Sequence, residues 1–312
     1  MRPGSAVVAI LVGIVWGLCF VLIKASLPSP APLLLAGTRA LIGGVVLGGW
    51  VVLRPRRRAR ATSIAPAGAV NRWADSLPNL WLLIALALAN GTLALGSMYL
   101  AAGHAEAGTA SILSGGQPLI LAAAGWFLFG ERISSRTVAG LVLAVAGVIL
   151  VATASSGATT PEGVALALVA TVAPAIGTIL MRRLGSNADL PLITSVQFLL
   201  GGAFLIAAGV ATEPWTDLAW PVGTVISLLV LGVLGTGVAY VAWFWLLGRL
   251  SLVSLSTALF LVPAVGVVAS IATGERPAPL ELAGMAALFV GIAAVSLGGF
   301  RPPRGVSVSE QA

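Results

Sequence analysis

Residues 130–147, GERISSRTVAGLVLAVAG, return at 274–291 as GERPAPLELAGMAALFVG, with Gly130, Glu131, Arg132, Ala139, Gly140 and Gly147 all reproduced at a constant offset of 144. Working backwards, Gly103 and Pro118 align with Gly248 and Pro263 at 145. Before the basic loop the offset is 158, where Lys24 falls on Arg182 and Gly43-Gly44 on Gly201-Gly202. A doubled register of this length is the signature of an internal repeat.

Each repeat is made of apolar stretches. The chain of 312 residues is 58% hydrophobic and 9% charged, with a mean hydropathy of +1.05, against about 25% charged in a soluble domain. About 20 apolar residues cross a hydrocarbon core as a helix. The sequence predicts an all-α polytopic membrane protein with ten spans, at 6–23, 33–53, 80–101, 108–129, 136–153, 162–181, 191–211, 223–247, 252–273 and 279–299. Two five-helix repeats result, 1–153 with a basic loop at 54–79, and 154–300, followed by a tail at 301–312. Because five is odd, the second repeat is expected to cross in the opposite sense, an arrangement typical of secondary transporters with a site between the repeats. Arg2 before an apolar run resembles a secretory leader, but the run is long and lacks a small-x-small cleavage site, so it reads as a retained span.

Lysine and arginine stay on the cytoplasmic side during insertion. With the N-terminus inside, 14 of the 17 basic residues fall in cytoplasmic segments, among them the arginines of 54–72, Arg132, Arg136, Arg182, Arg183, Arg249, Arg301 and Arg304. Lys24 and Arg276 fall outside and Arg39 within a span, while Glu106, Glu162, Glu213, Asp217, Glu275 and Glu281 are external. The expectation is a multi-pass protein of the cell membrane with both termini cytoplasmic. The charge of +7 is therefore a topology signal, and no basic stretch with interleaved aromatics points to nucleic acid.

Several function classes drop out. One cysteine, Cys19, excludes an intrachain disulfide; one histidine, His104, excludes the usual zinc site; no metal or cofactor is expected. An integral membrane enzyme would need a nucleophile and base or a metal cluster at a membrane face, and neither is present. No acidic residue lies deep in a span, which disfavours a proton antiporter built on a mid-helix carboxylate. A small-molecule substrate and the bilayer are the expected partners, with homodimerisation left open.

Pro118 and Pro263 lack a backbone donor inside predicted spans, freeing carbonyls and bending the helix. Ser111, Ser114 and Gln117 precede the first, and Ser254, Ser256 and Thr257 the second. Pro174, with Thr171 and Thr178 on nearby turns, invites the same reading. Trp16, Phe20, Tyr240 and Trp243 lie deep enough to wall a cavity, as does Phe260; lipid-facing or packed rings are the alternative. Asn90 and Ser97 share a face and could bond a polar ligand. Lys24 and Arg39 each admit two roles, substrate contact or snorkelling to the outer interface. Glu131, Arg132, Glu275 and Arg276 read as caps at the starts of the fifth and tenth spans, where the helix dipole favours an anion and the adjacent arginine can pair with it. Gly44 and Gly48, and Ala283, Ala287 and Gly291, carry the spacing of close helix contacts.

These residues also resemble a known family. A proline in the fourth span of each unit, Gly-Glu-Arg and a glycine-rich fifth span, together with Trp16-Gly17, Lys24 and Arg39, look like the EamA repeat of the drug/metabolite transporter superfamily. The second unit departs from it at Pro174 and at Gln197, which replaces Arg39. The resemblance implies a ten-helix carrier that exports small polar metabolites such as amino acids. A multidrug or cationic-compound efflux carrier is the alternative within transport, and a membrane scaffold or receptor the alternative outside it.

Overall fold

The computed structural model describes residues 3–26, 31–54, 77–129, 132–154, 159–181, 184, 188–214, 220–247, 261–298 and 300–301. Nearly all of them are helical. The helices are α1 (Pro3–Ser26), α2 (Pro32–Leu53), α3 (Leu80–His104), α4 (Ala107–Ser114), α5 (Gln117–Phe129), α6 (Ser135–Thr153), α7 (Pro161–Met181), α8 (Leu190–Thr212), α9 (222–247), α10 (Leu261–Ala272) and α11 (Pro279–Gly298). Among the described residues seven helices are long and apolar enough to cross a membrane: α1, α2, α3, α6, α7, α8 and α9. Helix α10 and the Pro279–Val295 part of α11 are shorter apolar helices.

Helix starts follow local chemistry. Asn79, Ser134 and Asp189 each accept the N–H three residues on, from Leu82, Thr137 and Leu192, satisfying donors that the helix cannot use. Proline opens α2 and α7, where its missing N–H costs nothing.

Two features differ from the sequence reading. The fourth span, expected as one helix bent at Pro118, is broken at the turn Gly115–Gly116, and Pro118 is the second residue of the new helix α5. Proline is tolerated in a first helical turn, so it begins a helix here instead of kinking one. The carbonyl of Leu113, at the break, accepts from Gly116 N at 3.0 Å and from the Thr171 hydroxyl of α7 at 3.0 Å. The third and eighth spans, expected as plain α-helices, each contain a π-helical stretch, Ala87–Leu93 in α3 and Val230–Val238 in α9. A short antiparallel pairing also joins Arg132–Ile133 to Phe300–Arg301.

Packing is built on two antiparallel helix pairs. In the first, α2 runs against α8, with Leu34 at Gly209, Gly44 at Leu199 and the Ser195 hydroxyl donating to Gly44 O at 2.8 Å. Glu213, just past α8, accepts from Leu33 N and Leu34 N at 2.7 and 3.0 Å, capping α2. At the opposite end Arg54, just past α2, is ion-paired to Asp189 at the start of α8. In the second pair α6 lies on α11 so closely that a Cβ at Gly140 would sit 2.9 Å from Gly291 O, and one at Gly147 2.7 Å from Gly284 O. Lipid tails offer helices no hydrophobic incentive to associate, so such backbone approach supplies the van der Waals gain. The contacting stripe on α11 is Gly284, Leu288 and Gly291; Ala283, expected in it, is exposed.

Candidate functional site

Arg39 anchors the centre. It is seven residues into α2, about 10 Å from its start at 1.5 Å per residue, and only 4% exposed. Snorkelling to the interface is thereby ruled out for this conformation. The guanidinium lies between three other helices: Nε donates to Thr236 Oγ1 of α9 at 3.2 Å, Nη2 to Cys19 Sγ of α1 at 3.6 Å and Nη1 to Met98 Sδ of α3 at 4.0 Å. Tyr99, in the same packed cluster as Cys19, Phe198 and Leu231, buries its hydroxyl without a partner.

Next to Arg39 stands an aromatic group. Trp16 Nε1 donates to Gly235 O at 3.1 Å, and its ring is 5.7 Å from that of Tyr240 and 5.5 Å from that of Trp243. Phe198 meets Tyr240 edge-on at 5.1 Å. The sequence placed Phe20 in this wall, but Phe20 packs in a different cluster, with Ala107, Ala110 and Leu113.

A second polar group crosses the fold between α3, α8, α7 and α5. Asn90 Nδ2 donates to Gln197 Oε1 at 3.2 Å, and Asn90 rests on Gly177, where a side chain would collide with it. Beside Gly177, the Thr178 hydroxyl accepts from Gln117 Nε2 at 3.2 Å and donates to Pro174 O at 2.9 Å. Pro174 sits inside α7. Ser97 is buried nearer the other end of α3, and Ser111, also buried, donates to Val262 O of α10 at 3.4 Å. The Ser114 hydroxyl at the break is buried without a partner. Pro263 is buried against Gly115. Ser254, Ser256, Thr257, Phe260 and Glu131 lie outside the described residues. Beside the break an apolar groove of about 260 Å³, lined by Leu113, Gly116, Ile120, Val148, Leu168 and Leu288 among others, shares no residue with either polar group.

The third group closes one end. Lys24 Nζ donates to Glu275 Oε1 at 2.6 Å and to Ala105 O at 3.3 Å. The same carboxylate accepts from Ala107 N at 2.9 Å and Gly108 N at 3.2 Å, so it caps α4. The sequence assigned Glu275 to the start of the tenth span with Arg276 as partner; the chain turns at Gly274, just before them, where φ is +100°, and the carboxylate meets α1 and α4 while Arg276 is exposed. Arg132 likewise enters the short strand pairing. Burial pushes the Glu275 carboxyl up, but the bonds from Lys24 and the two backbone N–H groups together outweigh it and hold it below the usual carboxylate range. Glu106 and Glu281, expected as external charges, are buried at 6% and 1% exposure, each with one oxygen unpartnered. Thr159 links them, accepting from Glu106 N at 3.1 Å and donating to Glu281 Oε1 at 3.5 Å, while Thr109 also donates to Glu281. Burial, reinforced by the charges of Glu281 and Glu275, raises the Glu106 carboxyl above its usual range.

A helical, multi-pass membrane protein with charged and amide groups buried between its spans is the class that this arrangement defines. The EamA-like transporter family matches residues 4–153 and again 161–297, and the chain belongs to that family, carrying its domain twice. It is similar to an uncharacterized transporter, YvbV, of Bacillus subtilis, at 31% identity over 86% of this chain and 83% of that protein. It is 30% identical to a probable amino-acid metabolite efflux pump of Salmonella typhimurium, over 99% of this chain and all of that protein. A probable terminal-alkyne amino-acid exporter of Streptantibioticus cattleyicolor is 32% identical over 62% of this chain and 64% of its own length. A solved crystal structure superposes with a TM-score of 0.61 at 18% identity, covering 95% of this chain and 98% of that one, which speaks for the fold alone.

Proposed function

We propose that the chain is a secondary carrier that moves small polar organic solutes, amino acids or related compounds, outward across the cytoplasmic membrane by alternating access. One observation carries the reading. Gly140 meets Gly291 while Gly147 meets Gly284, and each glycine of one pair is the 144-residue counterpart of a glycine in the other. Counterparts in reciprocal contact on antiparallel helices are what a two-fold axis across the helices produces. This supports two five-helix units of inverted topology, ten spans in all, with both termini in the cytoplasm.

In that frame Arg39, Asn90, Gln197, Gln117 and Thr178 lie between the units, where carriers of this build hold their cargo. Asn90 and Gln117 can exchange their present bonds for bonds to a polar solute, so binding need not leave buried donors unpaired. Lys24–Glu275 shuts the external end by tying α1 to the α10–α11 connection and to α4; rocking of one unit must break it before solute can leave. Cationic drugs fit less well, because an uncompensated guanidinium at the centre repels them. The names of the relatives favour amino-acid metabolites as cargo and efflux as direction.

The test is uptake by purified protein in liposomes, over a panel of amino acids, nucleosides, sugars and cationic drugs. Saturable movement of amino-acid compounds is expected. Saturable movement of cationic drugs alone would overturn the cargo assignment, and movement of nothing in the panel above protein-free vesicles would overturn the carrier assignment for these classes.

A further inference from the structure

Arg39 differs from Lys24 and Arg54, two other basic residues that the helices hold in place. Lys24 is neutralised by Glu275 and Arg54 by Asp189, both at helix ends. Arg39 lies deeper than either, yet its bonds go to a hydroxyl and two sulfur atoms, the weakest acceptors a side chain offers. Among the described residues no carboxylate forms an ion pair with it. A buried cation without an anion costs several kcal/mol, and the guanidinium fork has five donors suited to a planar, two-oxygen acceptor.

Its surroundings are matched to such an acceptor. The Tyr99 hydroxyl is a buried, unpartnered donor in the same cluster. Gly235 keeps its backbone close to the fork: an added Cβ would lie 3.0 Å from Cys19 Sγ and 3.8 Å from Arg39 Nη2, so a side chain there would crowd the place an acceptor has to take. Trp16, bonded to Gly235 O, and the rings of Tyr240 and Trp243 packed around it provide apolar surface. The counterpart of Arg39 in the second unit, Gln197, is neutral and already paired with Asn90, so there is one such charge per carrier.

We infer that Arg39 is the anion-recognising residue of the central site, and that the cargo carries a carboxylate which binds its guanidinium with the Tyr99 hydroxyl as a second donor, while an apolar tail lies against Trp16 and Tyr240. This rests on the carrier reading above and narrows its cargo to organic acids and zwitterions. The three weak contacts hold the fork in place while the site is empty, and a carboxylate displaces the sulfur contacts at little cost because thioether and thiol bonds are weak. Lys24, weighed from the sequence as the carboxylate ligand, is committed to Glu275 in this conformation.

The chain supplies its own reporter. Cys19 is the only cysteine, and its sulfur is 3.6 Å from the guanidinium, so a ligand on Arg39 shields it. The experiment is the rate of N-ethylmaleimide labelling of Cys19 in the purified protein, with millimolar isocaproate, L-leucine, L-leucinamide or isoamylamine. Isocaproate and leucine are expected to slow labelling several-fold in a saturable way, whereas the amide and the amine, lacking a carboxylate, leave it unchanged. In Arg39→Gln, which installs the residue of the second unit, protection by the acids is expected to vanish, and in Arg39→Lys to weaken. Equal protection by leucinamide, protection that persists in Arg39→Gln, or no protection by either acid would overturn the assignment. If Arg39→Gln does not fold, the acid-against-amide comparison in the wild type decides alone. Transport in liposomes without protection of Cys19 would sink the Arg39 assignment and leave the carrier reading standing; absence of transport would sink that reading by itself.

Discussion

Arg39 and Gln197 stand 158 residues apart at the same position of the two repeats, and each bonds to the π-helical stretch of the other unit. Arg39 reaches Thr236 in Val230–Val238, and Gln197 accepts from Asn90 in Ala87–Leu93. A π stretch widens a helix locally and leaves backbone bonds poorly formed, a feature that recurs at functional sites.

Breaking the Lys24–Glu275 pair should open the end it closes. Glu275→Gln removes the anion that holds Lys24 and caps α4, so Cys19, five residues from Lys24 along α1, is expected to react with maleimide several-fold faster than in the wild type. An unchanged rate at equal protein quality would show that the pair is an ornament of the loop and not a closure.

Acidity should act on this end in two opposed steps. Glu106 has a raised folded-state pKa, so its charge destabilises the fold at neutral pH and protonation on moderate acidification relieves that cost. Glu275 has a lowered one, so its stabilising contribution is present above the ordinary carboxylate range and is lost as pH falls through its folded-state value. Among the charged groups here, Glu281, Glu275 and Lys24 act on Glu106 directly, and His104 lies 3.9 Å from Glu162 nearby. The melting temperature in detergent is expected to rise slightly on moderate acidification from neutral pH and then to fall as the pH drops below the ordinary carboxylate range; Glu106→Gln should remove the rise. A monotonic fall in the wild type would contradict the buried-carboxylate assignment.

The α6–α11 contact should tolerate nothing larger than glycine. At Gly147 a Cβ would lie 2.6 Å from Leu288 N, so Gly147→Leu must separate two backbones, and overpacking of this kind costs about 1–3 kcal/mol. Gly223, with nothing within 4 Å of the added atom, serves as the control. A clear loss of thermal stability is expected for Gly147→Leu and none for Gly223→Ala; equal stability of both would remove the close contact from the account.

Reporter fusions test the orientation. Reporters after Arg301 and within residues 54–79 should both give cytoplasmic signal, and one within residues 154–161 external signal. An external reporter after Arg301, with the 54–79 reporter still inside, would leave an odd number of crossings between them and remove the inverted pair.

Much of this architecture could be read from the residues, because spans announce themselves by length and apolarity and the Gly-Glu-Arg register exposes the family domain twice. The stripe read on the last span, Ala283, Ala287 and Gly291, contained one of the contacting glycines, whereas the choice of Gly284 over Ala283 depended on a rotation of α11 that spacing alone does not fix. The break in the fourth span was signalled by Gly115-Gly116, but the neighbouring Pro118 suggests a bend in a continuous helix equally well. The π stretches left no periodic trace, since one extra residue per turn hardly disturbs an all-apolar pattern. The sequence could not decide between snorkelling and burial for Arg39: seven residues below an interface either is within reach of the side chain, and only the convergence of α1, α3 and α9 around it chooses. Glu106 and Glu281 were read as solvent-facing because they flank spans, and their burial comes from the loop contact through Thr159.

Solute counterflow tests the carrier assignment most directly. Liposomes holding the purified protein are preloaded with an unlabelled amino acid found to move in the uptake panel and diluted into a trace of the labelled compound. A site that faces each side in turn predicts transient accumulation of label above the equilibrium level, lost without preload and in Arg39→Gln. Label that merely equilibrates, at the same rate with and without preload, would contradict alternating access.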